Sequence, residues 1–330
     1  MLNITGFYTH PGMHKPGMIS AKEVPYRALA SRNGVLKITV KDHCREMTIG
    51  YEADTANHVP ATKLTITLLD GMPYIDMEMT LTGKEKDNWP QADWFCLPFK
   101  LTRPTFTVSR TLGVMNPMTD IMYGANRDLY AVGSGVSLTD IDGAGVTVCP
   151  IDHPLVSLGR PGIWKFSLDY IPQKPVVYIN LFNNQWNTNF RYWYSGTFSS
   201  RVRIWTFDKN STQELNLQIP SFEARIPLLV AKAEGKAGTL PLMQTGIALS
   251  RKGIEVTAFK PANEKQTLLR VWEQAGVPGK LTIILPAGKT YSEATPVNLR
   301  NQPQGKNITI VQNKLTIDLP AYSPASFLLK

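Results

Sequence analysis

Between residues 74 and 81 the chain alternates with period two: Ile75, Met77, Met79 and Leu81 fall on one side, Asp76, Glu78 and Thr80 on the other. Successive side chains of a strand point to opposite faces, so this is the pattern of an antiparallel strand with one face buried and one in water. The period recurs at 35–40, 63–68 and 201–207. Turn chemistry separates the runs: Asp70-Gly71 lies between two of them as a hairpin requires, and Asp142-Gly143 precedes a strand at 146–148. No long stretch carries the 3.6-residue period of a helix, and 231–238 is expected to be a short helix or a loop. The fold class expected is all-β.

Strand character stops at Phe207, and Lys209-Asn210-Ser211-Thr212 is polar. Beyond Ile226-Pro227-Leu228-Leu229-Val230, short strands are expected at 253–259, 267–273, 280–285, 307–311, 314–319 and 326–329. Close spacing with Pro or Gly between them is the mark of a compact sandwich. The expected domains are 1–224 and 225–330, in line with about 150 residues per domain for a 330-residue chain.

Composition excludes several classes. Hydrophobic residues make up 43% and charged residues 18%, which is globular and not disordered. The net charge of +9 is scattered, and Arg201 and Arg203 stand at alternate strand positions, so no nucleic-acid partner is expected. No apolar run reaches the length of a membrane span, so no membrane partner is expected either. The first residues, Met1-Leu2-Asn3-Ile4-Thr5-Gly6, do not form a signal peptide. The chain is then cytoplasmic, or exported if it is a fragment of a polysaccharide-degrading enzyme. Cys44, Cys96 and Cys149 are far apart and read as buried small hydrophobes.

The motifs of catalysis are missing. His10 and His14 are four apart, but the Pro and Gly between them exclude a helix that would aim both at one metal, and no HExxH occurs. No GxSxG elbow and no phosphate-cradling loop is present. Asp152 and His153 are neighbours, which on a strand sends them to opposite faces. Asp140 and Asp142 are turn formers. Asp76, Glu78, Asp93, Asp120, Asp169 and Glu273 are the carboxylates that could flank a glycosidic bond, and each is expected to be a solvated strand or loop residue. No catalytic residue, metal ligand or cofactor is assigned within the chain.

One segment concentrates side-chain amides and aromatics: Asn180-Leu181-Phe182-Asn183-Asn184-Gln185-Trp186-Asn187-Thr188-Asn189-Phe190-Arg191-Tyr192-Trp193-Tyr194. An amide both donates to and accepts from a sugar hydroxyl, and an aromatic face packs on the C–H face of the ring. Unsatisfied amides are costly to bury, which places the run in a loop facing a cleft. The competing arrangement is a buried Trp and Phe with amides capping a tight turn. On the first arrangement Asn183, Asn184, Trp186, Thr188, Asn189 and Arg191 form a carbohydrate-binding set.

The stretch Asn183-Asn184-Gln185-Trp186-Asn187-Thr188-Asn189-Phe190, followed by Ser200-Arg201-Val202-Arg203-Ile204-Trp205, resembles the C-terminal β-region of the α-mannosidases of glycoside hydrolase family 38. Val256-Thr257-Ala258-Phe259-Lys260-Pro261 and Leu268-Leu269-Arg270-Val271-Trp272-Glu273-Gln274-Ala275-Gly276 resemble a hairpin of that family ending in Glu-x-x-Gly. Ala294-Thr295-Pro296-Val297-Asn298-Leu299 and Pro324-Ala325-Ser326-Phe327-Leu328-Leu329 resemble its closing strands, so the likeness covers roughly 70–330. The resemblance implies a galactose-mutarotase-like β-supersandwich followed by a smaller β-sandwich. It implies a mannoside-like glycan as partner, with Asn184, Trp186, Thr188 and Asn189 bordering the cleft. The family's zinc ligands and nucleophilic Asp belong to an N-terminal catalytic barrel that has no counterpart in this sequence. That barrel would be the second partner, and the chain alone would not be catalytic. Two other functions fit the same residues: a stand-alone carbohydrate-binding protein, and a mutarotase-type epimerase using His153 with a carboxylate.

Overall fold

The computed structural model describes residues 2–5, 27–31, 33–57, 59–86, 91–110, 113–162, 169–183, 194–232, 234, 235, 238 and 243–330. They fall into two compact units, 1–212 with 220–225 and 213–219 with 226–330. The first unit carries β1 (Leu2–Thr5), β2 (Arg27–Ala30), β3 (Val35–Lys41), β4 (Cys44–Tyr51), β5 (Ala61–Leu69), β6 (Ile75–Lys84), β7 (Gln91–Pro98), β8 (Thr105–Arg110), β9 (Gly113–Met115), β10 (Tyr130–Ala131), β11 (Val136–Thr139), β12 (Gly145–Pro150), β13 (Leu155–Leu158), β14 (Val176–Asn183) and β15 (Gly196–Phe207). The second carries β16 (Ala248–Leu249), β17 (Ile254–Pro261), β18 (Thr267–Glu273), β19 (Gly279–Ile284), β20 (Glu293–Pro296), β21 (Ile308–Thr309), β22 (Lys314–Leu319) and β23 (Pro324–Leu329). The chain is all-β, as the alternation predicts.

In the first unit a six-stranded sheet, β10-β13-β14-β7-β1-β2, faces a nine-stranded sheet, β3-β4-β5-β6-β15-β12-β11-β8-β9. The core draws from both. Phe95, Leu97, Val156 and Ile179 come from the smaller sheet, and Met79, Leu81, Phe106, Leu138, Val148 and Val202 from the larger. That shared core makes the unit a sandwich. On the outer face of the larger sheet Arg203 grips Asp76 through two bonds of 2.6 and 2.8 Å, with its guanidinium 3.7 Å from the Tyr74 ring. Arg201 grips Asp152 in the same forked way, at 3.0 and 2.7 Å. The alternating arginines are thus spent on carboxylates. All three cysteines are free thiols. Cys149 is fully buried, and burial pushes its thiol up to about 11.

Residues 231–238 hold no regular helix among those described; the helix lies earlier, as a wide turn, Glu214–Gln218, running into α1 (Ile219–Arg225). Pro220 masked it in the sequence, since a proline inside a helix normally breaks it. Ser221 and Ala224 bury their side of α1, and Ala224 packs with Cys149 and Trp205.

The second unit repeats the design with a three-stranded sheet, β16-β19-β22, and a five-stranded sheet, β17-β18-β23-β20-β21. Leu281, Ile283, Leu315 and Ile317 of one sheet meet Leu269, Val271, Phe327 and Leu329 of the other. At the end of β18 the Glu273 carboxylate is wholly buried, where a solvated residue was expected. It accepts the backbone N–H groups of Ala275 and Gly276 at 2.9 Å, Val277 at 3.2 Å and Tyr322 at 2.7 Å, with an Arg251 nitrogen 3.6 Å away. Gly276 takes φ 76°, and a Cβ there would meet the Tyr322 hydroxyl at 2.5 Å. Glu and Gly are therefore needed three residues apart to hold this corner closed.

Candidate functional site

The amide and aromatic run begins inside the sheet, not in a loop. Asn180 to Asn183 belong to β14, opposite Ala92 to Trp94 of β7. The register slips between Asn180 and Phe182. The buried Asn180 amide donates to the carbonyls of Asp93, at 3.3 Å, and Phe182, at 3.1 Å, and so ties the slip together. Asn183 ends the strand half-buried. Asn184, Trp186, Thr188, Asn189 and Arg191 lie outside the described residues.

Both ends of the run are described, and they meet. The chain leaves the six-stranded sheet at Asn183 and enters the nine-stranded sheet at Gly196. The Phe182 ring meets the edge of Tyr194 at 5.4 Å and lies 6.2 Å from Phe198. Above it sits the buried Lys84, its ammonium 4.5 Å from the ring centre and 3.3 Å from the Glu85 carbonyl. Lys84 ends β6 directly opposite Gly196 of β15, and the Gly83 N–H donates to the Thr197 hydroxyl at 3.2 Å. One knot of aromatic, cation and hydroxyl groups therefore joins the two sheets where the run leaves and returns.

A pocket of about 190 Å³ opens at this end of β6. Val59 and Pro60 give it an apolar wall, and Thr55, Thr82, Lys84 and Lys86 a polar one. Glu85 also lines it, and its volume is below that of pockets that take drug-sized ligands. Lys84 and Phe182 were not singled out from the sequence. No sequence signal marks Lys84: plain alternation sets it with Asp76, Glu78 and Thr80 on the polar face, and only the register shift beside Gly83, with its φ of 64°, turns it to the buried side.

Of the remaining candidates, Asp93 of β7 stands next to this end, opposite Phe182. Of the carboxylates, Glu78, Asp120 and Asp169 are exposed and Asp76 is held by Arg203, whereas Asp93, like Glu273, is fully buried, against expectation. Asp140 accepts the N–H groups of Thr102 and Arg103 at 3.0 and 2.9 Å and that of Ile141 at 2.9 Å, and Asp142 accepts that of Ala144, the work of turn formers. Burial pushes the His153 imidazole down, and the neighbouring Asp152 is committed to Arg201. His10 and His14 lie outside the described residues. Among the described residues no three His, Cys, Asp or Glu side chains gather as metal ligands, and no helix is long and apolar enough to cross a membrane.

No family profile matches the chain, and neither does any curated protein sequence. Solved structures do. An α-mannosidase from Enterococcus faecalis V583 superposes on the whole chain with a TM-score of 0.65 at 12% identity. A glycosyl hydrolase family 38 protein from Enterococcus faecalis does so with 0.67, also at 12%. The chain spans 38% and 40% of those two proteins, about two fifths of their length. A galactose 1-epimerase from Lactobacillus acidophilus NCFM matches over 53% of the chain, with a TM-score of 0.31. The first two likenesses establish the fold.

Proposed function

We propose that this chain is the C-terminal β-region of a family-38-type glycoside hydrolase and supplies part of its carbohydrate-facing surface. The observation that carries the reading is the superposition of the entire chain on two such proteins, of which it spans about two fifths. The pinned ends of the amide and aromatic run support the location of the surface. On this reading Asn183, Asn184, Trp186, Thr188, Asn189 and Arg191 contact a mannoside-like glycan beside the Lys84 pocket. On the resemblance to family 38, the metal and the nucleophile would come from a catalytic barrel. No chemical step is assigned to this chain.

Calorimetric titration of the chain with mannose oligosaccharides tests the surface. Trp186→Ala and Asn189→Ala should each weaken binding about tenfold, the loss of one stacking or hydrogen-bonding contact, with the melting temperature nearly unchanged. A parent without sugar affinity, and variants that unfold, would show the run to be a buried corner instead. A separate assay addresses the chemistry. With zinc added, the chain should leave an aryl α-mannoside intact, and turnover would mean that the catalytic groups lie within it.

A further inference from the structure

Among the described residues the nine-stranded sheet ends at β3 in an open edge. No described strand lies beyond β3, and its apolar residues are the exposed ones: Val35 at 73%, Leu36 at 55%, Ile38 at 61% and Val40 at 72%. Leu36, Ile38 and Val40 share the face that becomes the sandwich interior, through Ile49 and Met47 of β4 and Leu64 and Ile66 of β5 to Met79 and Met77 of β6. Those β4 and β5 residues are already half-buried. Burial on this face falls from Met79 on β6 to the exposed residues of β3, beyond which no described strand follows.

Proteins guard such edges with short strands, bulges, proline or polar faces. The other edges here do so. β2, β9, β10, β16 and β21 have four residues or fewer. β17 is bulged at Thr257 and ends in Pro261. β22 buries Leu315, Ile317 and Leu319 and exposes Lys314, Thr316 and Asp318. β3, seven residues long, has no register shift against β4 and no proline; its Lys37, Thr39 and Lys41 alternate as the polar residues of β22 do, but its apolar residues, unlike those of β22, are exposed.

The edge is complementary to itself. Lys41 and Cys44 flank the two-residue turn Asp42-His43, and such a flanking pair exchanges both its backbone bonds. The alternation then turns the N–H and C=O groups of Leu36, Ile38 and Val40 outward. An antiparallel copy of β3, related by a two-fold axis at Ile38, sets Ile38 against Ile38 and Leu36 against Val40, all as hydrogen-bonded pairs. The apolar face continues unbroken across the axis. Lys37 faces Thr39 and Lys41 faces Val35, so no two lysines are opposed. We propose that β3 pairs with β3 of a second copy of this chain, joining two nine-stranded sheets into one about a two-fold axis.

Sedimentation of the full chain, with Ile38→Lys and Ile38→Glu, decides the matter. Each substitution sets like charges opposite one another on the axis and leaves the bonds to β4 intact. The parent should run at twice the chain mass, and each variant alone should dimerise more than about a hundredfold less well. An equimolar mixture of the two variants should recover the dimer, since lysine then faces glutamate. Amide hydrogen exchange reads the same contact without substitution: the Leu36, Ile38 and Val40 amides of the parent should be protected. A monomeric parent with those amides open overturns the proposal and leaves the edge to a different partner. A dimer indifferent to both variants overturns it as well, by placing the contact elsewhere.

Discussion

Glu273→Ala will destabilise the C-terminal sandwich by about 3–5 kcal/mol, the usual cost of removing one partner from a buried charged cluster. The carboxylate is fully buried and receives the N–H groups of Ala275, Gly276, Val277 and Tyr322. Alanine strands those donors without water, at about 1–3 kcal/mol for a fully desolvated group, and leaves Arg251 facing nothing. A whole domain holds only about 5–15 kcal/mol in reserve, so the loss approaches unfolding. Glu273→Gln keeps one acceptor oxygen and the shape, and should lose about half as much. Urea unfolding combined with hydrogen exchange of the amides at 267–277 and 322–329 measures both. Stability within about 1 kcal/mol of the parent would show that the corner is not held by this carboxylate. The same geometry gives the Glu-x-x-Gly spacing a structural reason: the carboxylate holds the N–H groups of the corner that the glycine turns.

What the sequence disclosed depended on how each strand is buried. β5, β6, β15 and β22 were legible because one face is largely apolar and the other polar, and period two survives in the letters. β7 and β14 were not, because they are covered on both faces. Gln91, Ala92, Asp93, Trp94 and Phe95 are all buried, and nothing alternates. That one fact hid the burial of Asp93 and made Asn180 to Asn183 look like loop. Glu273 escaped for a related reason: the letters show a carboxylate at a strand end, and only the folded corner shows the N–H groups converging on it. Of the candidate sugar-binding residues the structure describes Asn183 alone, next to the Phe182–Tyr194 pair that closes the run. The knot around Phe182 depends on three strands distant in sequence, β6, β14 and β15, which no local pattern brings together.

Phe182→Ala will strike that knot and is expected to remove stability and sugar affinity together. The ring is 7% exposed and touches Tyr194 and Phe198, with the Lys84 ammonium over its face. Truncating a buried phenylalanine costs about 3–5 kcal/mol. Here part of that cost falls on the closure of the run, because Tyr194 loses its ring contact with β14. Lys84 meanwhile loses a π-face worth up to about 2 kcal/mol when desolvated. Phe106→Ala is the matched control: it is fully buried in the core between the two sheets, on β8, and not part of the knot. Both variants should melt earlier by a similar margin. Measured at a temperature where both remain folded, Phe182→Ala should bind mannose oligosaccharides at least about tenfold more weakly than the parent, and Phe106→Ala should match it. Equal affinities in the two variants would mean that the knot is only a packing joint between the sheets. A selective loss in Phe182→Ala would tie the aromatic junction to the sugar surface, because stability alone could not separate two equally destabilised proteins.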